Sequence, residues 1–415
     1  MDLAPQADTY PVTAWRPASM PGNTLLKAAL FLFVLSCIFD PADRLFGLKI
    51  DLFLACWLLA IGFMLVERGR TRIDVRLLCY TLAFLAIPLL SIAGYWVTQG
   101  GEPFEGWALL KGYLLVSLAM LLYLRRIDLM PVLCALLTLL ALAVIVVFIV
   151  CTIEPAAFGA LYLFGQGTGV VLVDHRDYGG GLVMLQAYFV TSPMLAIAIA
   201  YYFHRSRTSP RFRTRMKFAA ITLLNIAGMM LAGTRNNIAV AILLPVVLHF
   251  MYARNQVLHA VYLLGFVAVM LAVFAGPIFQ LLDPSEASNQ LKLALLGDYF
   301  SALDDGRTLL IGQGLGAYHY WGARASYFYI SELTYLEMLR NFGLIGATAM
   351  LALLLFPLLY GFVLNRRYAE KHLIVAYGFY LLMCASNPNL FSSMGILILS
   401  IVLANIFRVE NSREK

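Results

Sequence analysis

Side chains able to do chemistry are few in this sequence, and they fall in short clusters. The stretch SELTYLEMLRNFGLIG, residues 331–346, carries Glu332, Glu337 and Arg340 at the opening of a long apolar run. On a helix of 3.6 residues per turn, Glu332, Leu336, Leu339, Gly343 and Gly346 share one stripe, while Glu337 reaches Arg340 or Asn341 on another. Glu337 and Arg340 are then a structural pair, and Glu332, with no local partner, is the freer carboxylate. The tight-turn sequence GTRNN, 233–237, interrupts an apolar run too long for one span and puts Arg235 at the tip of a helical hairpin. There it either snorkels to the interface or serves function. In VDHRDYGGG, 173–181, three glycines follow His175, Arg176 and Asp177. That pattern is a solvated turn, or a loop whose backbone approaches a ligand while Arg176 grips a phosphate bidentately. Lys111, inside an apolar run, has a stem long enough to bring its ammonium to the interface.

The elements that must position these groups are membrane helices. Hydrophobic residues make up 61% of the 415-residue chain and charged residues 13%, far from the roughly 25% charged typical of soluble domains. Apolar runs long enough to cross about 30 Å of hydrocarbon recur throughout, so the expected fold class is an all-α integral membrane protein with no soluble domain left over. The six cysteines lie within or at the ends of apolar runs with no CxxC spacing, which argues against disulfide or zinc frameworks. The formal charge of +7 does not indicate nucleic acid: six basic residues crowd into 204–217, the pattern of a connection beside anionic lipid.

Twelve spans are expected: 24–39, 51–66, 77–97, 105–124, 129–152, 182–203, 217–233, 237–253, 258–280, 342–364, 372–385 and 391–407. Together, 24–407 form a single transmembrane domain, with a segment 1–23 before it and a tail 408–415 after it. Connections at 67–76, 125–128, 204–217 and 365–372 are rich in Lys and Arg, whereas 40–51, 100–105 and the long 153–181 and 281–341 are neutral or acidic. By the positive-inside rule the first set is cytoplasmic, with both termini, and the second faces outward. Gly312, Gly314 and Gly316 alternate in GQGLGAYHYWGARAS, 312–326, but no GxxxxGK[ST] is present, so this loop is not a nucleotide cradle.

Four stretches, in this order, resemble the superfamily of O-antigen polymerases and ligases: GTRNNIAVAILL, IGQGLGAYHYW, ELTYLEMLRNFGLIG and SNPNLFSSMG. Ligases of that group carry a His eleven residues before the first Gly of the GxxG; Glu332 stands there, which favours a polymerase. The resemblance implies a GT-C-like glycosyltransferase of the bacterial inner membrane with large periplasmic loops. Its donor and acceptor are glycans linked through diphosphate to undecaprenol. By the same resemblance Glu332 is the candidate catalytic base, Arg176 and Arg235 bind the diphosphate, and the transfer inverts the anomeric centre. Lys111, Tyr318, His319 and Arg324 are candidate substrate-binding residues; the loop aromatics and His319 either stack on sugar rings or pack the loop. No cofactor or metal is expected, because no acidic cluster has ligand spacing and arginines can take a cation's place. Membrane lipid and a chain-length regulator protein are candidate partners. The rivals are a ligase that delivers finished glycan to lipid A core, and a flippase, which should place polar residues at the midplane instead of the outer face.

Overall fold

The computed structural model describes residues 23–66, 73–99, 104–177, 183–252, 261, 264–265, 287–364 and 370–411. The segment 1–22, most of the span expected at 258–280 and the glycines 179–181 lie outside them. Helices dominate because a chain in hydrocarbon must satisfy its amides internally. In chain order they begin with α1 (Asn23–Phe39), α2 (Lys49–Val66), α3 (Val75–Gln99), α4 (Phe104–Leu114), α5 (Leu118–Leu124), α6 (Met130–Ile153) and α7 (Pro155–Thr168). There follow α8 (Leu195–Thr208), α9 (Phe212–Leu231), α10 (Arg235–Tyr252), α11 (Ala287–Ala302), α12 (Gly306–Ile311), α13 (Thr334–Leu359), α14 (Lys371–Met383) and α15 (Ser393–Asn411). Two antiparallel hairpins join them, β1 (Val171–Asp177) with β2 (Val183–Phe189), and β3 (His319–Trp321) with β4 (Ser326–Phe328).

Among the described residues six helical stretches are long and apolar enough to cross a membrane: α2, Val75–Val97 of α3, Phe104–Leu124, α6, α10 and Thr334–Val363. Three shorter apolar helices, Asn23–Phe39, Lys371–Ser386 and Ser393–Arg408, accompany them. The protein is therefore a multi-pass helical membrane protein. α6 has no charged residue and, at 1.5 Å per residue, is about 36 Å long, enough for the hydrocarbon layer. At the centre of the bundle α8 buries every side chain from Leu195 to Ala200, and its alternating alanines admit α6, α9 and α14 closely.

The structure departs from the sequence reading in the two long connections. Residues 183–189 do not begin a helix: they form β2, paired with β1 from Val171↔Phe189 to Asp177↔Val183. The reason is local alternation, with Val171 and Val173 buried and Leu172 exposed, a period of two that suits a strand. The helix starts only at Leu195, after a single turn at Ser192–Met194. Upstream, Glu154 ends α6 and caps α7, its carboxylate accepting from the Ala156 amide at 3.3 Å. α7 exposes Tyr162, Leu163 and Phe164, a face suited to the membrane boundary. The 281–341 connection likewise holds α11, α12, the β3–β4 hairpin and the first turns of α13, around a small core of Leu295, Tyr299 and Trp321.

Candidate functional site

The start of α13 is an ordered polar knot. Glu337 is buried and has four donors: Arg340 Nη2 at 2.6 Å and Asn341 Nδ2 at 3.1 Å on Oε1, and the Tyr299 hydroxyl at 2.8 Å and Arg340 Nε at 3.2 Å on Oε2. Arg340 is fully buried and uses its remaining hydrogens on Gln313 Oε1 (2.8 Å), the Ala317 carbonyl (3.0 Å) and the Tyr329 carbonyl (3.2 Å). A buried ion pair is tolerated when its donors and acceptors are satisfied in this way. Glu337 is expected to meet Arg340 or Asn341, and it meets both.

One turn further on, α13 breaks. Gly343 sits at φ 63 and ψ −179, outside helical space, so the single stripe expected from Glu332 to Gly346 does not form. A break in the ladder leaves carbonyls in need of donors, and the glycine loop supplies them. Gln313 N donates to the Arg340 carbonyl at 2.7 Å, and Gly314 N and Ser91 Oγ donate to the Asn341 carbonyl at 3.2 and 2.8 Å. Contact is too close for side chains: a Cβ on Gly343 would lie 2.4 Å from the Leu310 carbonyl carbon, and one on Gly314 2.4 Å from Tyr95 Cβ. Gly312, Gly314 and Gly316 all have positive φ, so their alternation serves to thread the loop between α3, α4 and α13.

Glu332 lies two residues before α13, in the bend that leads into it. It has no partner at helical spacing, but beyond that spacing Arg324 Nη2 donates to Glu332 Oε1 in a salt bridge, with both side chains about one-third exposed. Helical spacing could not reveal this contact, because the β3–β4 hairpin reverses the chain and returns Arg324 to the mouth of α13. His319 packs edge-on to Trp321 with centroids 4.9 Å apart, and the Tyr318 hydroxyl donates to Glu105 Oε1 at 3.0 Å, tying the loop to α4. Burial, and then the Arg340 guanidinium, hold the His319 imidazole below the ordinary histidine value, so it is neutral near pH 7. These contacts are loop packing. Lys111 is exposed on α4 and lines neither of the two cavities beside Phe342.

Arg235 opens α10 after a turn in which Gly233 has φ 72, as the GTRNN sequence predicts. Its Nη1 donates to Asn289 Oδ1 on α11 at 2.9 Å. The next residue, Asn236, donates to Ser386 Oγ at 2.6 Å, and Thr334 Oγ1 donates to the Asn387 carbonyl at 2.6 Å. The dipeptide Ser386–Asn387 therefore bridges the segment carrying Arg235 and the segment carrying Glu332. Asn389, from the same SNPN run, donates to the Val190 carbonyl at 3.4 Å and so anchors the base of the β1–β2 hairpin. Arg176 sits near the other end of that hairpin, in register with Met184, about 20 Å along the strand from Val190; its side chain lies outside the described residues.

Two cavities flank Phe342, which lines both. The smaller, about 180 Å³, lies among Tyr113, Ser331, Thr334, Glu337, Asn341 and Phe391. Asn341 lines it, and among the described residues its Oδ1 is buried with no hydrogen-bond partner. The larger, about 590 Å³, lies between α3, α12 and α13 and includes Ser91, Tyr95, Arg307 and Gln313. Sequence reasoning missed Tyr299 and the bridging Ser386–Asn387. The signal for the last was an Asn-Pro-Asn run between two apolar helices, a polar turn with no loop to solvate it.

No family model matches the chain. A protein of Shigella flexneri named O-antigen polymerase is 28% identical over 155 residues, which is 37% of this chain and 39% of that one. The similarity thus spans well under half the length of either protein.

Proposed function

We propose that this protein is a polymerase of bacterial surface polysaccharide, transferring a growing undecaprenyl-diphosphate-linked glycan onto a lipid-linked repeat unit. The observation that supports the reading is that Ser386–Asn387, bonded to Asn236 and Thr334, joins the segments carrying Arg235 and the Glu332–Arg324 pair beside a cavity with aromatic walls. The partial likeness to a protein named O-antigen polymerase supports it. On this reading the chain is GT-C-like with twelve spans, sits in the inner membrane with both termini cytoplasmic, and works on the periplasmic face.

The chemistry assigns each group a task. A hydroxyl oxygen of the acceptor sugar attacks the donor's anomeric carbon, the carbon–oxygen bond to the diphosphate breaks, and the electron pair leaves with the lipid diphosphate. Glu332 takes the hydroxyl proton, with Arg324 holding its carboxylate in position. Charge grows on the departing diphosphate, and guanidinium groups meet it without losing their own charge: Arg235 from the hairpin tip and Arg176 from the β1–β2 hairpin. Direct displacement inverts the anomeric centre.

The test is deletion of the gene followed by electrophoresis of surface glycans, with complementation by Glu332→Gln, Arg235→Ala and Arg176→Ala. Core capped with single repeats, not rescued by these variants, is the expected result. Bare core with accumulated lipid-linked polymer would instead identify a ligase, and loss of glycan translocation into vesicles a flippase.

A further inference from the structure

Glu105, in the first turn of α4, faces two tyrosines from the far side of the glycine loop. The Tyr318 hydroxyl donates to its Oε1 at 3.0 Å, and the Tyr329 phenol acts on the same carboxylate by charge and hydrogen bond. The two rings meet edge-on with centroids 5.4 Å apart, so they form one unit. From the structure we infer that Glu105 is a positioning residue for the proposed transfer: it holds the Tyr318–Tyr329 pair, and that pair fixes the geometry between Glu332 and Arg324. The inference rests on the polymerase reading, in which Glu332 takes the acceptor's proton, and it adds a carboxylate that works without touching substrate.

Tyr329 is the joint between the two segments that carry the salt bridge. On its N-terminal side β4 ends at Phe328, whose carbonyl accepts from Trp321 Nε1 at 3.1 Å and whose ring centroid lies 6.0 Å from the Arg324 guanidinium carbon. On its C-terminal side Glu332 follows three residues later, between the buried Ser331 and Thr334, whose hydroxyl holds the Asn387 carbonyl. Arg340 Nη2 donates to the Tyr329 carbonyl at 3.2 Å. That bond fixes one point of the joint and leaves the chain free to turn about it. Glu105, at the other end of the side chain, removes the turn, and a reactive group is held precisely only when its supports are themselves locked.

Glu105 has a rigid base from which to do this. A Cβ on Gly316 would lie 2.8 Å from the Glu105 carbonyl carbon, and one on Gly106 would lie 2.6 Å from the Leu315 carbonyl oxygen, so loop and helix touch backbone to backbone. On a helix of 3.6 residues per turn Glu105 shares a stripe with Leu109 and Tyr113, which line the smaller cavity together with Ile330 and Ser331. The Glu105–Tyr329 contact thus links two of the segments that wall that cavity. Burial, and then the Glu105 carboxylate, raise the Tyr329 phenol above the ordinary tyrosine value against the opposite pull of Arg44, so it is a protonated donor at neutral pH.

The test uses the full chain in liposomes with a lipid-linked repeat unit as substrate, and a second readout that needs no activity. Glu105→Ala should lower kcat about tenfold to a hundredfold, the cost of a small misplacement, with KM and unfolding temperature unchanged. Glu105→Gln, which still accepts a hydrogen bond, should recover part of the rate, and Tyr329→Phe, which keeps the ring, should lose it. In the Glu332→Gln background, read by single turnover, Glu105→Ala should cost less than about twofold, because groups that act as a unit are not additive. Nitroxides on Trp107→Cys and Tyr327→Cys, both exposed, in a chain otherwise free of cysteine, should show a broader distance distribution when Glu105→Ala is added. An unchanged distribution, an equal loss in the Glu332→Gln background, a rise in KM alone or a matching fall in unfolding temperature would each overturn the positioning role and leave the polymerase reading standing. A wild-type chain that joins no lipid-linked repeats would sink that reading, and the positioning role with it.

Discussion

Glu332 and Glu337 sit five residues apart and do different work because their surroundings differ. Glu337 is buried with every acceptor position used, so removing its charge strands the Arg340 guanidinium in the interior. Glu337→Gln or Arg340→Met should each destabilise the protein by about 3–5 kcal/mol, read as a lowered unfolding temperature in detergent and a smaller folded yield. The Glu332–Arg324 pair is partly exposed, and such pairs contribute only about 0–1 kcal/mol to stability, so the proposed mechanism gives it a chemical role instead. Glu332→Gln should keep the wild-type unfolding temperature and lower polymerisation of lipid-linked repeats by about 10²–10⁴-fold, the usual worth of a general base. An unchanged rate would remove Glu332 from the mechanism. The Glu337 contacts were legible from spacing, since i+3 and i+4 neighbours on a helix must meet. The Arg324 contact was not, because it depends on a hairpin whose turn carries no strong sequence signature.

At the scale of elements, glycines with positive φ decide how α13 meets its neighbours. Gly343→Ala places a Cβ 2.4 Å from backbone atoms of Leu310 and Ile311 in a conformation alanine resists, so it should unfold or inactivate the protein, whereas Gly94→Ala should be silent in the same thermal assay. The α1–α2 connection makes a second case. Asp40 is fully buried and accepts the amides of Arg44 (2.9 Å), Leu45 (3.1 Å) and Phe46 (2.9 Å). Burial alone would raise its pKa, but the three amides outweigh burial and hold the carboxyl below its ordinary value. A depressed pKa contributes stability above the unfolded value near 3.9, and that stability is lost as pH falls through the folded value. Asp40→Asn should therefore be less stable than wild type at neutral pH, and the gap should narrow as thermal melts are taken below about pH 4. The β1–β2 hairpin gives the corresponding lesson about reading elements. Its second strand is apolar enough to pass as the start of a span, and only the alternating burial of its partner shows a period of two.

For the whole molecule, sidedness is the property on which the proposed chemistry depends. If the glycine-loop end faces outward, Tyr320→Cys in a chain otherwise free of cysteine should react with a membrane-impermeant maleimide in spheroplasts, and Ser209→Cys only after permeabilisation; the reverse pattern would put the site in the cytosol. Tyr320 is exposed and Ser209 partly exposed, so the readout reports side and not burial. The sequence by itself determined that the chain is helical and crosses the membrane repeatedly, because apolar length and the cost of unpaired amides in hydrocarbon leave little else. It also determined the Arg235 hairpin and the Glu337–Arg340 pair, whose contacts are local. Only the tertiary structure decided that α13 breaks at Gly343, that Arg324 answers Glu332, that Ser386–Asn387 joins the Arg235 and Glu332 segments, and that a cavity opens beside the glycine loop. Each of those depends on residues outside helical spacing brought together by the tertiary fold, and no periodicity records such a meeting.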